Sequence, residues 1–302
     1  SGVVQGALDT VRGTVQTGRR LMSEGAKSLV RPSRALRRAK QGLSFGAALS
    51  KFLSLPHDDD TPLKGELGVK QRATWSAPLD LARVKRIGGV MDAKVNDVLL
   101  GAVAGALRYY LAARTEPTDT ETVRALIPVN LRPPEQAFEL GNRFGLVFLD
   151  LPVGLNDPLE RMLAVKQRMD ALKGSAEAVA AFSVLESLGY LPLSVEDRAV
   201  RHFSNRASAV MTNVPGPQEP LHMKGRHVQH VMPWVPRAGH VGLGVSIFSY
   251  DGTVRLGIAC DAGLIPDPDT IIDGFQQEFD RLADTLLPAT DEGPSPASSP
   301  QG

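Results

Sequence analysis

The sequence has little cysteine, few aromatic residues and no long apolar run. Cys260 is its only cysteine, which excludes an internal disulfide framework and fits a reducing compartment. No apolar run reaches the ~18 residues expected of a membrane span. The first residues lack the basic and apolar regions of a signal peptide. With 42% apolar residues in 302, we expect a cytoplasmic protein with an ordinary buried core.

Several catalytic and metal-binding motifs are also missing. There is no Walker A loop, zinc-binding cysteine pair, Gly-x-Ser-x-Gly elbow or dinucleotide-binding glycine motif. Four histidines cluster in sequence, but none forms a helical His-x-x-x-His pair, and no carboxylate or cysteine lies at ligand spacing. These histidines are His222, His227, His230 and His240. Loop or solvated histidines are the better interpretation, so we predict neither a metal nor a cofactor.

The net charge of +1 conceals two regions of opposite sign. Residues 1–56 hold ten lysines and arginines but only two acidic residues, and the rest of the chain carries a net charge of −7. This basic arm could meet an anionic partner such as a lipid surface, nucleic acid or an acidic chain, or it could simply be a solvated face. Because the arm lacks interleaved aromatic residues, nucleic acid is the weakest of these partners.

Apolar periodicity predicts an α/β fold with a mixed sheet. The stretch 94–114 is apolar on nearly all sides and predicts a buried helix, and Asp80 is placed to cap a helix over 76–90. Alternating residues on either side of Asp251-Gly252 predict a hairpin over 240–261. We expect helices on one or both faces of the sheet. The predicted regions are a partly helical connector (1–56), a lobe that begins with a polar hinge (57–286) and a disordered tail (287–302).

Asn96 and Asp97 stand at the start of the buried helix. Plain capping of free backbone N–H groups explains one of them, and we expect the other to orient a neighbouring loop. Arg132 and Asn142 lie beside two predicted strands. Arg132 is either a surface residue or a fork that ties the strand end to a loop or holds an anion.

The stretch "TNVPGP" (212–217) follows another predicted strand. Proline fixes φ and glycine permits positive φ, so Pro215 and Gly216 specify the backbone path after Thr212 and Asn213.

Together these segments resemble the bacterial wax ester synthase/diacylglycerol acyltransferases over residues 57 to 285. The resemblance rests on "VNDVLLGAVAGALRYYL", "IPVNLR", "GNRFGLVFLDLPV" and "TNVPGP", which occur in the family's order. It implies the chloramphenicol-acetyltransferase-like fold, a sandwich of α/β lobes that is shared with condensation domains. The family usually has serine where this chain has Thr212.

The resemblance implies transfer of a long-chain acyl group from acyl-CoA, a substrate rather than a cofactor, to diacylglycerol or a long-chain alcohol. The family's His-His-x-x-x-Asp-Gly signature is absent here, so this chain would be the C-terminal lobe, with no catalytic residue of its own. The residues that match family motifs would support the active site. They are Asn96, Asp97, Arg132, Asn142, Thr212, Asn213, Pro215 and Gly216.

The expected partners are an N-terminal acyltransferase lobe and an anionic membrane or lipid-droplet surface. The basic arm would hold the protein at the inner face of the membrane or on lipid inclusions. Two alternatives remain open: a non-catalytic binding or scaffold lobe that needs a partner chain, and a condensation-type acyltransferase.

Overall fold

The structure is a computed structural model. It describes residues 61–114, 121–131, 144–173, 177–188, 205–237 and 240–287, and the single residues 50, 54, 56, 58, 59 and 194. Nearly all of the predicted basic connector and of the predicted tail falls outside these residues. The proposed boundaries of the connector, lobe and tail therefore stay predictions.

Most of the strands belong to one mixed sheet. The strands are β1 (Gln71–Trp75), β2 (Leu79–Asp80), β3 (Val123–Asn130), β4 (Phe144–Leu151), β5 (Ala209–Pro215), β6 (His222–Met223), β7 (Arg226–His227), β8 (Leu243–Tyr250) and β9 (Thr253–Asp261). The sheet runs in the order β1-β9-β8-β5-β3-β4, with β2 also paired to β9, and β6 and β7 form a separate small hairpin. Strand β5 is parallel to β8 and β3, whereas the other pairs in the sheet are antiparallel. The predicted mixed sheet and the hairpin at Asp251-Gly252 are confirmed.

The helices form a layer that buries one face of the sheet. They are α1 (Leu81–Val90), α2 (Val95–Ala112), α3 (Pro158–Lys173), α4 (Glu177–Leu188) and α5 (Asp269–Leu286). The Asp80 carboxylate accepts the Ala82 N–H and caps α1, as the sequence predicted. Helix α2 is buried along almost its whole length, because it packs between α5 and α3 and above the sheet. This arrangement explains why its sequence has no polar face.

Alternate residues of each strand point to the helix layer and to the opposite face. On the central strands, Met211 of β5, Val245 of β8 and Ile258 of β9 belong to the large core under the helices. On the opposite face, Val210 and Val235 join a much smaller apolar cluster. The two faces of the sheet are therefore covered very unequally.

The segment predicted to be a polar hinge is attached to the sheet from Asp58 onward. The Asp58 carboxylate accepts the Arg124 backbone N–H at 3.0 Å and the Ser208 hydroxyl at 2.6 Å, and Leu63 lies in the core. Burial raises the pKa of Asp58, although the Ser208 hydroxyl, Lys64 and Arg124 act in the opposite direction. The polar side chain of Asp58 in this segment thus makes structural contacts with the sheet.

Candidate functional site

The end of strand β5 meets the start of helix α2 through two asparagines. The Asn213 amide Nδ2 donates to the Asn96 amide oxygen at 2.8 Å. The contact joins residues 117 positions apart in the sequence, because the central strand ends where the buried helix begins. Asn213 is on the helix-covered face, since its neighbour in β8 is the core residue Ile247.

Asp97, the next residue of α2, is buried and fully engaged. One carboxylate oxygen accepts the Lys94 backbone N–H at 3.0 Å, and the other lies 3.1 Å from the Lys173 ammonium at the end of α3. Asp97 thus caps the helix, while Asn96 contacts the end of strand β5 rather than a loop. The role of this pair in an active site stays a prediction. Asp97 also ties the start of α2 to the end of α3.

The chain after Asn213 follows a tight path. The Gly216 N–H donates to the Ser249 carbonyl at 2.9 Å. A Cβ at Gly216 would lie 2.3 Å from that carbonyl oxygen and 2.4 Å from the Phe248 ring. Space, rather than a positive φ, is therefore what requires glycine after Pro215.

Thr212 does not share a site with Asn213. Consecutive strand residues point to opposite faces, and Thr212 is paired with Ser246, whose hydroxyl accepts the Val235 N–H on the face away from the helices. Thr212 and Asn213 therefore lie on opposite faces of the sheet, and an active-site role for either residue stays a prediction. Arg132 and Asn142 lie outside the described residues, so their roles stay predictions.

Lys173 is the contact that sequence reasoning missed. It lies at the last residue of α3, where a lysine is favourable for the helix dipole in any case. The position of Lys173 in the sequence therefore does not indicate that it binds the buried Asp97 carboxylate. The only available signal was at Asp97: a carboxylate entering so apolar a helix needs a cation or several N–H donors.

The cluster can bind and orient, but it cannot supply a general base. Both Asp97 oxygens are engaged, and neutral amides such as Asn96 and Asn213 do not take up a proton near pH 7. After the Asn96–Asn213 bond is made, the Asn213 amide oxygen, the second Asn213 N–H and the Asn96 NH₂ group can still bind a hydroxyl or a carbonyl. None of the histidines that the structure describes is hydrogen-bonded to either asparagine.

Among the residues that the structure describes, no helix combines the length and the apolar character needed to cross a membrane. Nor do three or more histidine, cysteine, aspartate or glutamate side chains gather there in a way that could bind a metal ion.

Comparison with known families matches the part of the chain that contains strand β5 and Asn213. A sequence model described as the WS/DGAT C-terminal domain matches residues 140–283. A Mycobacterium tuberculosis protein named "probable diacylglycerol O-acyltransferase" is 29% identical over 211 residues, which are 68% of this chain and 46% of that protein. Wax ester synthase/diacylglycerol acyltransferase 10 of Arabidopsis thaliana is 27% identical over 265 residues, or 78% of this chain and 54% of its own length. The chain thus spans about half the length of these relatives.

Solved structures confirm the fold. The wax ester synthase/diacylglycerol acyltransferase from Marinobacter aquaeolei VT8 aligns with a TM-score of 0.54 at 19% identity, covering 82% of this chain and 57% of that one. The EpoB cyclization-docking bidomain from Sorangium cellulosum aligns with a TM-score of 0.53 at 15% identity, covering 80% of this chain and 48% of that one. At these identities the likeness concerns the fold alone. The domain match confirms the resemblance over residues 140–283, which are similar to the C-terminal domain of the wax ester synthase/diacylglycerol acyltransferases.

Proposed function

We propose that this chain is the C-terminal lobe of an acyl-CoA-dependent O-acyltransferase that esterifies diacylglycerol or a long-chain alcohol. The observation that carries the proposal is the Asn96–Asn213 hydrogen bond. It brings together two motifs that are far apart in the sequence and that both belong to the predicted family pattern. Two motifs on unrelated surfaces would have favoured a purely structural origin.

The proposed reaction needs a base that this lobe lacks. A histidine of the N-terminal lobe takes the hydroxyl proton of the acceptor, and the oxygen attacks the thioester carbon of acyl-CoA. The C–S bond then breaks, and the CoA sulfur leaves with the proton that the histidine returns. In this scheme Asn213 and Asn96 orient the acceptor or the thioester carbonyl, while Asp97 and Lys173 hold the start of α2 in place.

The remaining family-pattern residues have supporting roles in the proposal. Pro215 and Gly216 fix the chain that leaves Asn213, and Arg132 and Asn142 position loops beside the acyl channel. Thr212 faces the other side of the sheet, so its role would be to support β5 rather than to contact the reacting atoms. A long acyl chain is selected mainly by apolar burial, at ~0.8 kcal/mol per CH₂.

A chimera tests the function. The C-terminal half of the Mycobacterium tuberculosis relative is replaced by the matching part of this chain, and ester formation from acyl-CoA and diacylglycerol or hexadecanol is measured. We expect ester formation that depends on both lobes. A folded chimera that forms no ester would contradict the proposal and leave a scaffold lobe, whereas activity only with acyl groups on a carrier protein would indicate a condensation-type enzyme.

We further propose that the basic residues 1–56 attach the protein to an anionic membrane or lipid-droplet surface. Each lysine or arginine near such a surface contributes about 1 kcal/mol, so a net charge of +8 suffices for reversible attachment. Sedimentation with anionic vesicles should fall strongly when 1–56 are deleted and when salt is raised. Unchanged sedimentation after the deletion would contradict this role.

A further inference from the structure

Both tryptophans of this chain lie together on the face of the sheet that the helices leave open. Trp75 is the last residue of the edge strand β1, and Trp234 belongs to the segment that follows the β6–β7 hairpin. Their rings meet edge-on, with centroids 6.2 Å apart. They are nevertheless 55% and 41% exposed, so together they present a large aromatic surface to solvent.

The fold holds this pair firmly at the surface. A Cβ at Gly257, the partner of Trp75 in β9, would lie 2.3 Å from the Met232 methyl group and 3.1 Å from the Trp234 ring. The glycine therefore provides a flat floor for both side chains. The Val235 N–H donates to the buried Ser246 hydroxyl at 2.9 Å and fixes the backbone beside Trp234.

A cation lies next to the pair. Arg255 Nη1 donates to the carbonyl of Ser76, the residue after Trp75, at 2.9 Å. Arg255 Nη2 lies 3.1 Å from His230 Nδ1. No carboxylate lies within ion-pair distance of Arg255 in the part of the chain that has been described. The surface thus combines rigid aromatic rings with a positive charge that no acidic side chain neutralises.

We propose that the tryptophan surface, formed by Trp75, Trp234, Met232 and Arg255, binds a lipid bilayer with anionic headgroups. Indole rings favour the membrane–water interface because they have an apolar body and an N–H donor. Arg255 fits the phosphate groups at that depth, because its charge is available and its fork can bind phosphate oxygens. The residues of this surface differ from the basic residues 1–56, and their contribution is the insertion of indole rings rather than charge attraction alone.

Tryptophan fluorescence tests the proposal in the whole chain, because no other residue contributes indole emission. With phosphatidylcholine vesicles that contain phosphatidylglycerol, we expect a blue shift, and brominated lipids should quench the larger part of the emission. Inorganic phosphate at the same phosphorus concentration should change nothing. Binding through residues 1–56 alone would sediment the protein but leave the emission unchanged, and that result would overturn the proposal.

Variants give a second readout. Trp75→Ser with Trp234→Ser should weaken vesicle sedimentation at high salt roughly tenfold, which corresponds to loss of about 55 Å² of apolar contact at ~25 cal/mol per Å². Leu163→Ser is the matched control, since Leu163 is an exposed apolar residue on helix α3, and it should bind like the wild type. Equal binding by all three proteins would contradict the proposal. Acrylamide quenching of the tryptophan emission gives another test. If the relative's N-terminal half protects the tryptophans from acrylamide and vesicles do not, the proposal is also contradicted.

Discussion

The two faces of the sheet differ in how their polar and apolar groups are satisfied. Under the helices, apolar side chains are fully buried, and two charged pairs enter this layer, Asp97 with Lys173 and Arg161 with Glu278. On the other face, one segment crosses β8 and β9, while Phe144, Val214 and the tryptophan pair stay exposed. The helix-covered face therefore provides most of the stability of the fold. The open face is available for contact with other molecules.

The largest effect should come from the buried ion pair of the helix layer. Arg161 on α3 and Glu278 on α5 are both almost fully buried, and Arg161 Nε donates to Glu278 Oε1 at 3.1 Å. Changing Arg161 to Met leaves an uncompensated buried carboxylate, which should lower the free energy of unfolding by about 3–5 kcal/mol. Urea denaturation followed by circular dichroism measures this loss.

The matched control removes both charges. Arg161→Met combined with Glu278→Leu should recover most of the lost stability, because no isolated charge remains in the core. A single variant that loses less than about 1 kcal/mol would show that water reaches this pair. In that case the helix face would not be the dry core that the comparison requires.

Positions 259 and 260 of β9 lie on opposite faces of the sheet, so the reactivity of a cysteine at each position compares the two faces. Cys260 faces the helices and is fully buried, and burial raises the pKa of its thiol to about 11. Ala259 faces the open side, where it is half-buried. The thiolate is the reactive form, and at pH 8 a thiol with that pKa is about one part in a thousand ionised.

Thiol labelling with an aromatic disulfide measures the contrast. Native Cys260 should react at least about a hundredfold more slowly than a cysteine introduced by Ala259→Cys in a Cys260→Ala background. Both proteins should react at similar rates in concentrated urea. Similar rates under native conditions would contradict the assigned orientation of the strand.

The smallest effect concerns Asp58, which lies beside the starts of β3 and β5. Burial raises the pKa of this carboxyl, so the folded protein binds its proton more tightly than the unfolded chain. The stability that Asp58 contributes is therefore greatest below its ordinary pKa of 3.8 and declines as the pH rises through the raised value. Asp58→Asn does not titrate, so its stability relative to the wild type should improve from about pH 4 upward, by less than about 1 kcal/mol. A relative loss over that range, measured by urea denaturation, would contradict the pKa direction.

Local pattern was enough to predict much of the fold. The alternation around Asp251-Gly252 and the Asp80 cap each depend on residues close in sequence, and both are confirmed. Strand β1 was not predicted as a strand, because its "QRATW" carries exposed polar side chains and lies at the sheet edge. The contacts of the predicted hinge could not be predicted for a similar reason: Asp58 finds its partners in Arg124 and Ser208, far along the chain.

The candidate site could be predicted only in part. Asn96, Asp97 and Asn213 were recognisable from their positions at the ends of apolar segments. Their partners depend on which helix and strand ends meet, and this is why the Asn96–Asn213 bond and Lys173 required the structure. The orientation of Thr212 was missed because a two-residue motif in a strand necessarily divides between two faces.

The most direct test of the account measures ester formation by the chimera with Asn213→Ala, against Val214→Ala as control. Val214 is the next residue of β5 and is exposed on the open face. We expect Asn213→Ala to lower the rate at least tenfold while the melting temperature changes by only a few degrees, as for the loss of one hydrogen bond of about 1 kcal/mol. Val214→Ala should leave the rate nearly unchanged. Equal rates for both variants, or a loss of activity fully matched by a loss of stability, would contradict the claim that the Asn96–Asn213 pair belongs to an active site.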